Sequence, residues 1–502
     1  MRIRDASLLA AAAATAALLL LPVPAHSTEP APPVDVVLPS GTLAGPDSRG
    51  PEFEGLGVQV TPYPNYEPSE AQWRLAFARL DVIRPSLIHT MLSADWYACG
   101  FDRNGQPEFD WTTPRMERLY RVLDWARSRH VAVTIGEWGD PTGYYDNCLS
   151  RYGIRAGDPR WSTLVGGFLH QLYDVDGYHD IRYYNLLNEP NGSWSGNKDF
   201  ASWKAAVLSL HAELRRRGLA DRVAIIGPGS VWADDWLYRT IDELHTQVGA
   251  FDVHHYDRVT DVQHGDLEQE LIANRRFLTD RLDSRAPLLL SEAGIADHKD
   301  HDSQPLRYSF DYGIWLADMA VQAIDAGAQG IVAYDLDDAM SRGGGYGSMN
   351  LKGWGMWNSL GGTAGYPPQD VEVRPWFSAW TLMSHAFPEG AFPLPAPATG
   401  VPGLRVALAT ADRADRNGLS IAVVHDAPGS ITVHLALPPA FTRTSLREYR
   451  YFRDSTRQDS DGNPVAARTL PPAALTAGVD LALPGPGLVV LSADTPRPPS
   501  SP

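Results

Sequence analysis

Between Phe53 and Pro388 short apolar runs alternate with longer amphipathic stretches, eight times over, and few architectures accept such a pattern. The runs predicted as strands are Gly55 to Val60, Asp81 to Pro85, Val131 to Gly136, Ile181 to Leu187, Val223 to Ile226, Phe251 to Tyr256, Leu288 to Ser291 and Gly330 to Asp335. Ile181 to Leu187 is apolar and aromatic on both faces, as a strand is when a parallel sheet is covered on both sides. Helices fit between the runs, for example over Asp199 to Arg217, Leu267 to Leu282 and Tyr312 to Ala326, with an eighth over Arg374 to Ala386. An open doubly wound sheet would more often carry a glycine-rich phosphate loop. Neither a GxGxxG after the first run nor a P-loop occurs, so the expectation is an α/β fold of the closed (β/α)8, or TIM barrel, kind.

At 502 residues the chain has room for a second, smaller domain. The barrel is bounded at 51–390, and a proline-rich connector follows at 391–403. Short alternating runs at Leu404 to Ala411, Leu419 to His425, Ile431 to Leu437, Leu446 to Phe452, Val479 to Leu483 and Leu488 to Leu491 then predict a small antiparallel β-sandwich over 404–494, with a disordered tail at 495–502. Residues 26–50 read as a linker in which Val34 to Leu38 has the pattern of a short strand, able to dock on the C-terminal domain. Arg2 and Arg4, an apolar run from Ala6 to Leu21 and Val23-Pro24-Ala25 predict a cleaved secretory leader over 1–25, hence a secreted protein with no membrane attachment afterwards. The net charge of -17 argues against nucleic acid and anionic membrane surfaces, which need a basic footprint. Cys99 and Cys148 follow the second and third predicted strands, and in an exported chain a disulfide between them is expected, pinning two neighbouring loops.

In such a barrel the polar residues at the C-terminal tips of the strands are the candidates for function. Two are glutamates. Ile181 to Leu187 runs into Asn188-Glu189-Pro190, and Ala286 to Gly294 delivers Glu292 in the same way about a hundred residues later. Two carboxyls on strand tips suit acid/base work with a nucleophile. In Asp252 to Asp257, period-two alternation puts His254 and Tyr256 on one face and His255 on the other, where a histidine bonded to backbone is expected. No third ligand with suitable spacing follows the histidines, so no metal is implied, nor any cofactor.

An Asn-Glu-Pro at a fourth strand tip with a lone Glu at a seventh resembles the retaining glycoside hydrolases of clan A, families 39 and 5 above all, over Phe53 to Pro388. The resemblance implies Glu189 as general acid and base and Glu292 as nucleophile, about 5 to 5.5 Å apart, with the charge on Glu292 keeping Glu189 protonated near neutral pH. It implies that Asn188 bonds the sugar hydroxyl beside the reacting carbon and that Tyr256 bonds the nucleophile. It also places Arg84, at the end of the second strand, near the nucleophile as the cation that holds it ionised. Glu137-Trp138 ends the third strand where a histidine is frequent in those families, so Glu137 either binds substrate or competes for a catalytic role. β-Xylosides, β-glucosides and arabinofuranosides are the implied substrates, and a small sandwich follows the barrel in family 39. The alternative is a catalytically inactive carbohydrate-binding protein on the same barrel.

Tryptophans point the same way independently. Trp96, Trp138, Trp194, Trp232, Trp236, Trp354 and Trp357 follow predicted strands, where solvent-facing loops would normally avoid large aromatics. Sugar rings have apolar C–H faces that stack on such residues, so the expected partner is an oligosaccharide or polysaccharide. Asp335, Asp337 and Asp338 are expected in a mobile acidic loop that contacts sugar hydroxyls.

Overall fold

The computed structural model describes residues 33–37, 52–142, 145–282, 286–296, 304–340, 353–363, 365–411 and 418–493. The leader, most of the 26–50 linker and the tail lie outside them.

Eight parallel strands close into a barrel in chain order: Gly55–Gln59, Leu87–Leu92, Ala132–Glu137, Ile181–Asn185, Ala224–Val231, Ala250–Asp257, Leu288–Ile295 and Gly330–Ala333. Strands one, two, three, seven and eight are buried at every position, which explains why their sequences read as unbroken apolar runs. The intervening helices are started by local capping. Ser69 and Gln72 form a capping box for Glu70–Ile83, while Thr113, Asp158, Asp199 and Ser309 each accept a backbone N–H at the head of a helix.

One element falls elsewhere than expected. Asp81 to Pro85 is the end of a helix: Glu70–Ile83 runs through Val82 and Ile83, and Arg84 caps it with φ 52° and its N–H on the Leu80 carbonyl at 2.9 Å. The true second strand, Leu87–Leu92, starts after Pro85, which stops the helix at the residue before it. A short apolar run cannot be told from the last turn of a buried helix by periodicity, and here the helix wins.

Two sheets follow the barrel. One has the strand order Phe392–Leu394, Leu404–Thr410, Ser420–His425, Gly487–Ser492, Leu446–Tyr451, Arg468–Leu470; the other pairs Val34–Val37, Ile431–Ala436 and Val479–Leu483. Val36, Leu408, Val423, Leu435, Leu481 and Leu491 belong to their common core. The connector is thus not all linker, since Phe392–Leu394 is an edge strand paired with Leu404–Thr410. The N-terminal strand runs parallel to Ile431–Ala436, Val34 facing Val433 and Val37 facing Ala436. The sandwich rests on the barrel helices Phe310–Asp325 and Trp376–Ala386: Tyr451 stacks on Phe310 with centroids 4.1 Å apart and donates its hydroxyl to the Phe310 carbonyl, and Arg405 pairs with the buried Asp318 at 2.6 Å.

Cys99 and Cys148 form a disulfide, Cα atoms 5.3 Å apart, that joins the hairpin Ala98–Phe101/Pro107–Phe109 after strand two to the loop after strand three. Asp337 and Asp338 do not form a mobile acidic loop. Both are buried: Asp337 accepts from the Tyr63 hydroxyl and the Ser359 and Ala339 amides, and Asp338 pairs with Arg374.

Candidate active site

Strand four stops at Asn185, and the next turn carries Glu189 at φ 46°, in the left-handed region where a non-glycine residue is uncommon. The turn is tied to its neighbour by the Asn188 amide, which donates to the Glu137 carbonyl at 2.8 Å. Strand seven delivers Glu292 by a different device. Its register with strand six slips between Leu290, opposite Val253, and Glu292, opposite His254, leaving Ser291 as the extra residue of a bulge. The slip sets Glu292 beside His254 and turns Ser291 inward as well.

The result is a compact group: oxygens of Glu189 and Glu292 and a nitrogen of His254 all lie within 4.8 Å of one another. His254 Nδ1 is 3.1 Å from Glu189 Oε1 and 3.7 Å from Glu292 Oε2. Its Nε2 is 3.1 Å from Ser291 Oγ, whose own hydroxyl donates to Asp252 Oδ2 at 2.5 Å, and Asp252 Oδ1 accepts from the Gly229 amide at 2.7 Å. Because the Ser291 proton is spent on Asp252, Nε2 must donate to Ser291, while Nδ1 faces two carboxylates. With an ionised carboxylate beside Nδ1, both ring nitrogens carry protons and His254 is an imidazolium. Burial works against that charge, but Glu292, Glu189 and Asp252 outweigh it and raise its pKa to about 9. The same three groups are the set of metal-ligating side chains found among the described residues; their spacing suits protons shared between nitrogen and oxygen at hydrogen-bond length.

Glu292 is almost wholly buried. Its Oε2 accepts from the Tyr256 hydroxyl at 2.6 Å, while Oε1 has no hydrogen-bond partner. Burial drives its pKa up to about 7, against the pull of His254 and Tyr256 and helped by the Glu189 charge. Glu292 is also the more deeply buried of the two glutamates. Glu189 Oε2 accepts from Trp194 Nε1 at 2.5 Å. Tyr256 is walled by Trp354 and Tyr334, edge-on at 5.3 and 6.0 Å, and these aromatics cluster with Val231 and Ala296. Arg307, fully buried, donates to the Tyr334 and Trp354 carbonyls and fixes that wall. Asn188 lies buried next to Glu189 with Oδ1 unpartnered.

Other expected residues lie elsewhere or in other roles. Arg84 stands before strand two begins, at the N-terminal end of the barrel, where it lines a cavity with His385 and Tyr449 and its carbonyl accepts from Ser384. It has no access to Glu292. The residue that strand two does bring there is His89, whose Nδ1 is 4.0 Å from Glu292 Oε1. Gly136 on strand three makes room for it, since a Cβ there would meet His89 Nε2 at 2.8 Å. Burial, and then the charge of His254, push His89 down to about 3, so it is neutral. A polar residue inside the apolar run Leu87 to Leu92 is its only signal, hidden once the strand is placed six residues early. Asp252 and Ser291 carry no signal of their own beyond lying on strands six and seven.

Glu137 is buried beneath the site, accepting from the Tyr97 and Tyr184 hydroxyls at 2.9 and 2.8 Å, and burial pushes it up to about 8. His255 bonds carboxylates rather than backbone: Asp257 at 3.2 Å and Glu270 at 3.1 Å outweigh burial and raise it to about 10. The loop tryptophans divide. Trp96, Trp236 and Trp357 are core; Trp138 is half-buried at the strand-three tip; Trp354 lines the Tyr256 wall; Trp194 and Trp232 are exposed.

No family model and no curated protein sequence matches this chain. Its structure does match solved ones. A GH39 β-xylosidase from Caulobacter crescentus superimposes over 91% of this chain and 98% of its own, at 15% identity and a TM-score of 0.59. A GH39 enzyme from Xanthomonas axonopodis pv. citri covers 94% and 99%, at 13% identity and a TM-score of 0.63, and the catalytic domain of GH30 xylanase C from Talaromyces cellulolyticus 91% and 99%, at 13% and 0.60. What they share is the fold. Barrel and sandwich are matched together, so the two-domain plan is common to all three.

Proposed function

We propose that the protein is a retaining glycoside hydrolase, exported by its N-terminal leader, that cleaves O-glycosidic bonds with Glu189 as acid and base and Glu292 as nucleophile. The observation that carries this reading is the approach of the two carboxyls to within 4.8 Å, oxygen to oxygen, across the C-terminal mouth of the barrel. Inverting pairs stand about 6.5 to 9.5 Å apart to leave space for a water, which this spacing does not provide. The barrel-plus-sandwich plan shared with a β-xylosidase and a xylanase favours β-xylosides or β-glucosides, with arabinofuranosides as the further class.

The chemistry follows from the hydrogen bonds. Glu292 Oε1, free of partners, attacks the anomeric carbon while Tyr256 holds Oε2. The bond to the leaving oxygen breaks as that oxygen takes a proton from Glu189, and a glycosyl ester of Glu292 forms. Asn188 bonds the adjacent sugar hydroxyl. Water then gives its proton to Glu189 and attacks the same carbon, returning Glu292 as carboxylate. The imidazolium of His254 stabilises Glu292 as carboxylate before attack and Glu189 as carboxylate in the glycosyl-enzyme, and it stands where an arginine was expected.

Azide separates the two roles. With Glu292→Ala it attacks from the vacated side and gives a product of inverted configuration. With Glu189→Ala it replaces water, needs no base, and yields a product of retained configuration from a substrate with a good leaving group. Opposite stereochemistry would exchange the assignments. Failure of the wild type to hydrolyse any aryl glycoside or natural glycan that it binds would leave the inactive carbohydrate-binding protein as the reading.

A further inference from the structure

The joint between barrel and sandwich buries more acid than it neutralises. Asp318, midway along the barrel helix Phe310–Asp325, is fully buried, and Asp426, directly after the sandwich strand Ser420–His425, is 4% exposed. Each stands within hydrogen-bond reach of the other. Arg405 is the cation they share: its Nη1 pairs with Asp318 Oδ2 at 2.6 Å, and its Nη2 donates to the Gln263 carbonyl at 2.9 Å. That leaves Asp318 Oδ1 and both carboxyl oxygens of Asp426 without a hydrogen-bond partner.

Buried carboxylate oxygens that lack donors are costly, and the described neighbours do not relieve these. His425, beside Asp426 in the chain, is pushed down by burial and brings no charge. Glu268 and Asp325 form a second carboxyl pair close by, and Arg405 faces Glu268 too, so its charge is divided among several acids. The end of the connector closes over Asp426, whose amide donates to the Gly403 carbonyl at 2.9 Å, while a Cβ at Gly403 would meet Asp426 Oδ1 at 2.4 Å. Burial lifts the Asp318 carboxyl well above its ordinary range, Arg405 pulls the other way and Asp426 adds to the rise; burial lifts Asp426 as well. A metal ion would need more ligands than two carboxyls, and no further His, Cys, Asp or Glu joins them in a ligating group among the described residues.

We infer that Asp318 and Asp426 share one proton, and that this proton is the catch that holds the sandwich on the barrel. With one carboxyl neutral, its O–H lies between the orphaned oxygens, and the single charge that remains is matched by Arg405. When the proton leaves, two like charges face each other across the joint and push it open. The docked pair keeps its proton to a higher pH than the carboxyls of the unfolded chain do. Its contribution is therefore complete below about pH 4 and is lost as pH rises, so the sandwich is held hardest in an acidic medium. The same helix backs the active site, since the Tyr312 hydroxyl accepts from the Ile295 amide at 3.2 Å, at the end of the strand that carries Glu292.

Asp426→Asn puts a permanent N–H where the shared proton lies. Urea unfolding of this variant and of the wild type at pH 5, 6, 7 and 8 compares the two, and groups that titrate in both, Glu137 among them, cancel in the ratio of their folding equilibrium constants. That ratio, variant over wild type, should grow about tenfold per pH unit until the wild-type pair gives up its proton. Asp426→Ala should show the same growth from a lower start, because it removes the second carboxyl together with its packing. A ratio that stays within about 3-fold from pH 5 to pH 8 for either variant would overturn the shared proton. So would failure of Asp426→Asn to fold at pH 5, where it mimics the protonated chain.

Discussion

Replacing His254 with asparagine tests the electrostatics of the site directly. The substitution keeps a hydrogen-bonding side chain and removes a positive charge 3.7 Å from Glu292 Oε2. At an effective dielectric of about 20, two unit charges at that distance interact by about 4.5 kcal/mol, or about 3 pH units. Losing the cation disfavours the ionised nucleophile, so the pKa of Glu292 rises from the value of about 7 that burial, His254, Glu189 and Tyr256 set together. Relaxation and water entry will absorb part of the change, which leaves an expected rise of about 2 to 3 units. The acid limb of kcat/KM against pH reports the proton that must leave the free enzyme before attack, and it belongs to the coupled set of Glu189, His254 and Glu292. It should therefore move upward by that amount, with activity at pH 7 down about 100-fold and recovering toward pH 9 to 10. A glycosyl fluoride is the right substrate, since its departure needs little acid help, and a melting curve on the same sample checks the fold. An acid limb within half a unit of the wild type would refute the reasoning, because it would mean that His254 carries no charge in the free enzyme.

Other outcomes follow from the same structure. Tyr256→Phe removes one hydrogen bond to the buried Glu292 carboxylate and should cost about 1.5 to 3 kcal/mol in kcat/KM, with the acid limb displaced in the same direction. Glu137 has a folded pKa of about 8, above its unfolded value, so the stability it contributes is complete below about pH 4.5 and is lost as pH rises toward 8. Glu137→Gln, a neutral mimic, should escape that loss, and its melting temperature should gain on the wild type between pH 5 and pH 8; a constant difference would contradict the buried neutral acid. Opening the Cys99–Cys148 disulfide, which spans 49 residues of sequence, should cost at most about 4 kcal/mol, read as a drop in melting temperature on reduction or in Cys99→Ser/Cys148→Ser. A chain ended at Gly403 should be insoluble or unstable, because it uncovers Phe310 and leaves the buried Asp318 without Arg405.

The parts of this site that the sequence makes legible are those announced by chain punctuation. Pro190 and Gly192 mark the turn that carries Glu189 just beyond the fourth strand, and the apolar run ahead of Glu292 has one length and one ending. Tyr256 falls to alternation on strand six. What stays hidden depends on register. Ser291 reaches His254 only because strand seven bulges, and no local pattern marks that slip. His89 is lost for a related reason: Val82 and Ile83 satisfy a helix and a strand equally well, and only their packing with Trp73, Ala76 and Leu80 on one helical face decides between them. With the strand misplaced, an arginine at the wrong end of the barrel took the place of a histidine at the right one. The tryptophans show the same limit, since exposure, which separates Trp232 from Trp236 four residues on, is a property of the assembled surface.

The parallel pairing of Val34–Val37 with Ile431–Ala436 sets a timetable for the chain. Val34–Val37 must wait for a partner about 400 residues further on, which at 5 to 20 residues per second is a delay of roughly 20 to 80 s. Throughout it, a short valine-rich segment has an open edge and a crowd of nascent neighbours to pair with. Asp35, exposed in the middle of Val34–Val37, puts a charge on that edge for the whole interval. Asp35→Val should leave the finished fold almost untouched and show its effect only in yield, as aggregation that grows when synthesis is slowed.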